Sequence, residues 1–462
     1  MKGFALFGPI WVKKCLTWVR GGAKIIKNLV REVGMGKFLK TLSLVAFCCF
    51  GALFFTACGK LGTQVTLRCA FWGDTNEIAI IKNSVELFKK NNPGIEVTLE
   101  RLPSGDPYTE KILTQIAGGN PVDVMFVNAE QFYIYAKKGI LLPLNEYVDK
   151  NKFPVDKFYP KIIDKFTIDK NLYVLPRDIA PVCVVYYNKD LFDAAGLKYP
   201  TNDWKWDDMR AMAIKLTKKN PDGTTTFGYA DDWGIWDPFV LSNGGKYVDD
   251  LKNPKKCLLD SPEAIAGLQY RQDLMFKYKV MPSPAQLSSM GGVGASDMFM
   301  QGKAAMYLCG IWKTPYFRET MKGKWDAAPF PVSPAGKRGY LISGGGYAIL
   351  KTTKHPEEAW KLLTYLAGEE GQKQLAQTGL AQPAIKAIAE SPDFLDGKPP
   401  ASKKFLLDAV NYGCFVPDSD KWQQALSAAV QPALDKVWAD KTTPAKIMPE
   451  VAKEVTKIIN EK

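Results

Sequence analysis

Several aromatic and polar side chains stand where a strand-like run gives way to a loop or a helix. Trp72 and Asp74 follow the run "QVTLRCAF", Asn128, Glu130 and Gln131 follow "VMFV", Arg177 and Asp178 close "NLYVLPRD", and Trp312 closes "AAMYLCGIW". In an open α/β sheet the carboxyl ends of strands and the loops after them face the ligand crevice, so these residues are candidates for one shared site. The glycine-rich turn Ser343 to Tyr347 adds Gly345 and Tyr347, and the loop "DDWGIWDP" adds Trp233 and Trp236. Trp422 is a further indole candidate. The combination suits a sugar-like ring. Flat aromatic rings cover its apolar C–H faces, while Asp, Glu, Asn, Gln and Arg take its hydroxyls in paired hydrogen bonds. Not every tryptophan fits that role. Trp360 and Trp438 lie in amphipathic helices and read as core, Trp204 and Trp206 read as a staple at a helix start, and Asp123 inside a buried strand reads as structural. The "GGG" at 344–346 lacks the Lys-Ser/Thr of a phosphate loop and reads as close backbone approach.

Composition narrows the chemistry further. The single histidine, His355, precedes a proline that opens a helix, which excludes His-based triads and multi-His metal sites. Nine cysteines are scattered without a C-x-x-C pair, which argues against a zinc or redox motif and implies no cofactor. Cys69 and Cys183 fall in apolar runs and read as small buried hydrophobes. The net charge is +13, but residues 1–57 hold nine Lys/Arg against Glu32 alone, so most of it belongs to the N-terminal stretch. No basic stripe interleaved with aromatics marks a nucleic-acid groove.

The elements that must hold these residues alternate. A strand through Phe71 is followed by Asp74-x-x-Glu77, a capping-box pattern, and by Ile78, Ile81, Val85 and Phe88 at helical spacing. "NNPG" stops that helix, "IEVTLERL" reads as a strand, "YTEKILTQIAGG" as a helix ending at glycines, and "PVDVMFVN" as a buried strand. "WDDMRAMAIKLTKKN" reads as a helix with a lysine-rich C-terminal turn. Strands alternating with helices predict an α/β protein with mixed, mostly parallel sheets flanked by helices. At about 150 residues per domain, 462 residues predict two or three domains.

Residues 35–57 have the form of a secretion signal: Lys37 and Lys40, about fourteen mostly apolar residues, then Thr56-Ala57 before Cys58. A spanning helix wants roughly 20 apolar residues, and the uncharged stretch is nearly that long, so that reading also stands on the residues alone. The pattern resembles a bacterial lipoprotein signal, with Phe55 where that family usually has Leu. The resemblance implies a cut before Cys58 and a lipid on its thiol, with 58–64 as a linker. Met35 opens a complete signal by itself, so residues 1–34 are expected to be an over-extended gene start.

From about residue 65 to 460 the order of motifs resembles the extracellular solute-binding proteins of ABC importers, in particular the carbohydrate-binding group that includes maltose-binding protein. The residues that carry the likeness are "FWGD", "PVDVMFVNAEQF", "LYVLPRD" before "VVYYNKDLFDAAGL", "FVLSNGGKYV", "FMQGKAAMYLCGIW", "SGGGYAIL", "HPEEAWKLLTYL" and "TGLAQPA". The resemblance implies a two-lobed periplasmic-binding-protein-like fold with a hinge of crossing strands near Pro176–Ala180, Trp312–Pro315 and Gly379–Pro383. Lobe I would comprise 65–177 and 315–378, and lobe II 178–314 and 379–462. It implies a monomeric, membrane-anchored receptor outside the cytoplasm that is not an enzyme, with a sugar as solute, an ABC permease as partner and no nucleic acid. The residues leave other solutes open, such as a polyamine, a phosphorylated compound or an oligopeptide. Arg177 at the cleft weighs against a polyamine. A secreted glycosidase would need two carboxylates about 5–10 Å apart across a bond.

Overall fold

The computed structural model describes residues 64–232 and 234–461. The leader, Cys58 and Trp233 lie outside the described residues. The chain begins with strand β1 (Val65–Phe71), whose Leu67, Cys69, Ala70 and Phe71 are buried. Helix α1 (Thr75–Asn91) follows; it buries Ile81, Ser84, Val85 and Phe88, carries Lys89 and Lys90 in its last turn and ends before Pro93. Strand β2 (Ile95–Arg101), helix α2 (Asp106–Ala117) and strand β3 (Val124–Asn128) complete a β-α-β-α-β run. The two crossover helices allow β1 to pair in parallel with both β2 and β3.

The chain then passes through the short strands β4 (Leu175–Pro176) and β5 (Ala180–Pro181) into β6 (Val184–Asn188). Helix α3 (Trp206–Leu216), strand β7 (Ala230–Asp231), helices α4 (Asp237–Ser242) and α5 (Pro262–Phe276), and strands β8 (Met306–Cys309) and β9 (Trp325–Pro329) follow. Strands β10 (Tyr340–Ser343) and β11 (Gly345–Ile349), helix α6 (Pro356–Ala367), helix α7 (Phe405–Tyr412), strand β12 (Gly413–Cys414) and helix α8 (Pro444–Ile459) complete the chain. Two main sheets result, ordered β2-β1-β3-β11-β4 and β7-β8-β6-β9, with a third, β12-β10-β5, built from the connecting strands.

The α/β class is as expected, and the sheets are mixed. Antiparallel pairs outnumber parallel ones, however, because β11 and β4 join β3 in antiparallel fashion and β6 is flanked by antiparallel β8 and β9. A strand arriving from another sheet takes its direction from that crossing and not from a helical crossover. The same pairing corrects an expected boundary. Trp325–Pro329 falls within the stretch 315–378 expected in lobe I, but β9 pairs with β6 in the second sheet. The return to the first sheet comes at Ser343–Gly345, where β10 gives way to β11. Helix α3 is also shorter than its lysine-rich reading. The chain turns extended at Thr217, whose hydroxyl donates to Ala213 O and accepts from Gly228 N–H, and Lys218–Lys219 pair with Thr225–Thr226.

Core assignments follow the sequence closely. Trp204, Trp206, Trp360 and Trp438 are buried, Trp204 Nε1 donates to Pro329 O at 2.7 Å, and Asp123 accepts from Arg68 N and the Thr353 hydroxyl. Cys69 and Cys183 are buried and unpaired, and burial pushes the Cys69 thiol up to about 12. Beside α8 and β7, Arg271 forks onto Asp231 at 3.1 and 2.6 Å, with its guanidinium 4.2 Å above the Trp438 ring. Both side chains of this pair are sealed from solvent, at 1% and 0% exposure. Arg271→Met strands a buried carboxylate and should cost roughly 3–5 kcal/mol in urea unfolding. The double variant Arg271→Met/Asp231→Leu should recover most of that loss.

Candidate functional site

The carboxyl ends of β1, β2 and β3 emerge on one edge of the first sheet, as parallel strands require. Trp72 to Asp74 follow β1, Leu102 to Ser104 follow β2, and Asn128 ends β3. Arg177 and Asp178 follow β4 beside them. Opposite stand Trp312 and Lys313, from a turn after β8, and Leu380 and Ala381. Together these residues line a cleft of about 500 Å³.

Each side chain is held by its neighbours. The Trp72 ring is met edge-on by Tyr108 and Phe126, both at 4.7 Å. Trp312 packs against Leu375, Leu380 and Ala381, and lies so close over Gly310 that a Cβ there would meet its ring at 1.8 Å. Asp74 caps α1, its Oδ1 accepting from Asn76 N and Glu77 N at 3.1 Å, while its Oδ2 stands 3.9 Å from Lys313 Nζ across the cleft. Glu77 does not reach back to complete a capping box. Its carboxylate accepts instead from Arg177 Nη1 at 3.3 Å, a charged partner in place of a backbone N–H. Burial raises the Glu77 pKa, and Arg177 opposes that rise.

Arg177 is the hub. Its Nε donates to Asp178 Oδ2 at 2.6 Å and its guanidinium lies 4.2 Å over the Phe126 ring. Asp178 Oδ1 accepts from Gly345 N at 3.1 Å. Burial works against the arginine's charge, but Asp178, Tyr347 and Glu77 outweigh it and push its pKa up. Because Glu77 and Asp178 balance its charge, Arg177 is no guide to the charge of a solute and does not weigh against a polyamine.

Six of the expected residues thus meet at one cleft: Trp72, Asp74, Asn128, Arg177, Asp178 and Trp312. Six others do not line it. Asn128 Oδ1 accepts from Gln131 N at 3.1 Å, and this turn carries Glu130 and Gln131 into the interior. Gln131 is buried, and Glu130 Oε2 is buried without a hydrogen-bond partner. The glycine-rich turn reaches the cleft at Ser343 and Gly344, not at Gly345 or Tyr347. Gly344 takes φ +119°, and a Cβ there would meet Asp178 O at 2.9 Å. Gly345 and Tyr347 are paired within β11, and Tyr347 packs edge-on against Phe126 at 5.5 Å. Trp236 and Trp422 are core, packed on either side of Tyr247 at 5.8 and 5.6 Å. Sequence reasoning missed Glu77, Phe126, Lys313 and Arg101 to Ser104. Arg101 ends β2 and Leu102 to Ser104 follow it as Trp72 follows β1, so the strand-end rule had the means to find this group.

Burial pushes the Glu130 carboxyl up to about 7, with Ser343 and Lys165 pulling the other way and Asp237 adding to the rise. A carboxyl raised in the folded state weakens folding once the unfolded chain ionises. The wild-type chain should therefore lose stability relative to Glu130→Gln as pH rises from 4.5 to about 7. That relative loss should reach roughly 3 kcal/mol and then level off, as read by chemical denaturation across pH.

Residues 72–373 match the family model described as bacterial extracellular solute-binding protein. The maltooligosaccharide ABC transporter solute-binding lipoprotein of Streptococcus pneumoniae is 25% identical over 379 residues, covering 78% of this chain and 84% of that protein. The maltodextrin-binding protein MdxE of Bacillus subtilis is 26% identical over 303 residues, covering 64% and 66%. Among solved structures, an ABC substrate-binding protein from Listeria monocytogenes in complex with cycloalternan superposes with TM-score 0.77 at 27% identity, covering 86% of this chain and all of that one. Maltose-bound T. maritima MalE3 shares the fold, with TM-score 0.74 at 24% identity over 85% of this chain and 99% of that one. With the two α/β sheets and the cleft between their strand ends, these matches place the chain in the bacterial extracellular solute-binding protein family.

Proposed function

We propose that the chain is the extracytoplasmic receptor of an ABC importer, taking a sugar or oligosaccharide into the cleft and delivering it to the permease. One observation carries this reading: two indoles, Trp72 and Trp312, line the same cleft as Asp74, Asn128 and the backbone of Ser343–Gly344. Rings of this kind cover sugar faces, and the polar groups take hydroxyls. The maltooligosaccharide- and maltodextrin-binding relatives support it. Sheet membership supports lobes of 65–177 with 344–378 and of 178–343 with 379–462, closing over the solute by a hinge motion. The protein acts as a binding protein and not as an enzyme, and works as a monomer. Its tether is a lipid on Cys58, a reading supported by the lipoprotein named among its relatives. Among the described residues no helix is long and apolar enough to cross a membrane.

Thermal unfolding over a panel of maltooligosaccharides, other sugars, polyamines and sugar phosphates tests the solute class. A cognate sugar at 100 times its Kd should stabilise by about 2.7 kcal/mol. Trp72→Ala and Trp312→Ala should each weaken its binding by about 2 kcal/mol, roughly thirtyfold. Response to polyamines alone, or cleavage of the oligosaccharides, would overturn the reading. For the tether, Cys58→Ser should move the expressed protein from the detergent phase to the aqueous phase on detergent partition.

A further inference from the structure

A second cavity, of about 340 Å³, lies between the loop after α4 and the strands β10 and β12, and shares no lining residue with the cleft. Leu241, Val248 and Leu251 give it apolar walls, and Tyr412, 50% exposed, stands at its edge. Lys246 and Arg338 line it as well. Among the described residues neither side chain makes an ion pair or a hydrogen bond, although Arg338 is half-buried. A guanidinium drawn partly out of water without a hydrogen-bonded partner, and reached by the Asp203 carboxylate only through its field, carries a desolvation cost that a bound anion would offset. A third cation stands close by: a Cβ on Gly244, another lining residue, would lie 3.4 Å from Lys337 Nζ. Glu263 approaches the same point with its Cγ at 3.9 Å. The cavity's own acid, Asp249, has its Oδ1 turned into its loop, accepting from the N–H groups of Asp250, Lys255 and Lys256 at 3.0, 2.9 and 3.0 Å.

We propose that this cavity is a second binding site, for a small organic anion with a flat apolar body and one phosphate, sulfonate or carboxylate group. Arg338 and Lys246 take the oxyanion, the Tyr412 ring covers the flat body, and the leucines and valine receive its edge. The volume falls at the lower end of small-molecule pockets, about 300–1,000 Å³. Its position gives an occupant a route to the hinge. Gly339, in the cavity wall, leads directly into β10, which pairs with β5 at the first crossing.

The test is calorimetric titration of phenyl phosphate into the purified full chain, with inorganic phosphate and benzyl alcohol as separate probes. The expected result is one saturable site that binds phenyl phosphate at least tenfold more tightly than either fragment. Arg338→Gln and the exposed Lys246→Gln should each weaken it at least tenfold, with unchanged unfolding temperatures. Trp312→Ala, which alters the cleft, should leave it unchanged. Absence of saturable heat, wild-type affinity in both cation variants, or loss of binding in Trp312→Ala would each overturn the proposal.

Discussion

The fold is tied together at a single junction. The backbone N–H groups of Arg177 and Asp178 both donate to Gly345 O, at 2.7 and 3.1 Å, and the Asp178 carboxylate accepts from Gly345 N in return. Ile179 N donates to Gln382 O at 3.0 Å, and Asp178 bridges to Pro383. Three passages of the chain, around 177–180, 343–345 and 380–383, are therefore pinned within a few residues of one another. The buried Arg177 charge stands at this point, balanced by Asp178 and Glu77. A buried pair of this kind is weak evidence of stability on its own, but losing one partner leaves an uncompensated charge. The charged groups of the junction therefore depend on one another, and the cleft is built around them.

The aromatic walls of the cleft are braced by the same residues. Phe126 lies beneath Arg177 and also meets Trp72 and Tyr347 edge-on, so the arginine hub and a partly buried cleft indole share one aromatic support. Trp312 on the facing side is wedged over Gly310 and against Leu380 and Ala381, the third passage of the chain. Rings held this way lose little freedom when a ligand lies against them, which favours affinity through preorganisation and not through contact area. The polar groups divide between two tasks. Asp178 and Glu77 maintain the hub, while Asp74 and Asn128 each keep a carboxylate or amide facing the cleft after capping a local turn.

Much of this was legible locally. The strand-end rule identified Trp72, Asp74, Asn128, Arg177 and Asp178 because the β-α-β-α-β run is encoded by period-2 and period-3.6 patterns over short windows. It failed where a local hydrogen bond changes direction. The turn closed by Asn128 sends Glu130 and Gln131 inward, although both follow the same strand. Indole placement was harder still. Trp236 and Trp422 look in sequence like loop and helix-start aromatics, yet both bury against Tyr247, which is near Trp236 in the chain but remote from Trp422.

The sequence by itself determined the α/β class, the strand and helix order, the hydrophobic core and the motif series that marks the family, because each rests on patterns a few residues long. Only the tertiary structure decided the rest. It set β9 in the second sheet, placed the return crossing at Ser343–Gly345, gave Arg177 an internal role, and separated the indoles of the cleft from those of the core. Those outcomes depend on which remote segment packs against a given residue, and local periodicity carries no information about a partner a hundred residues away.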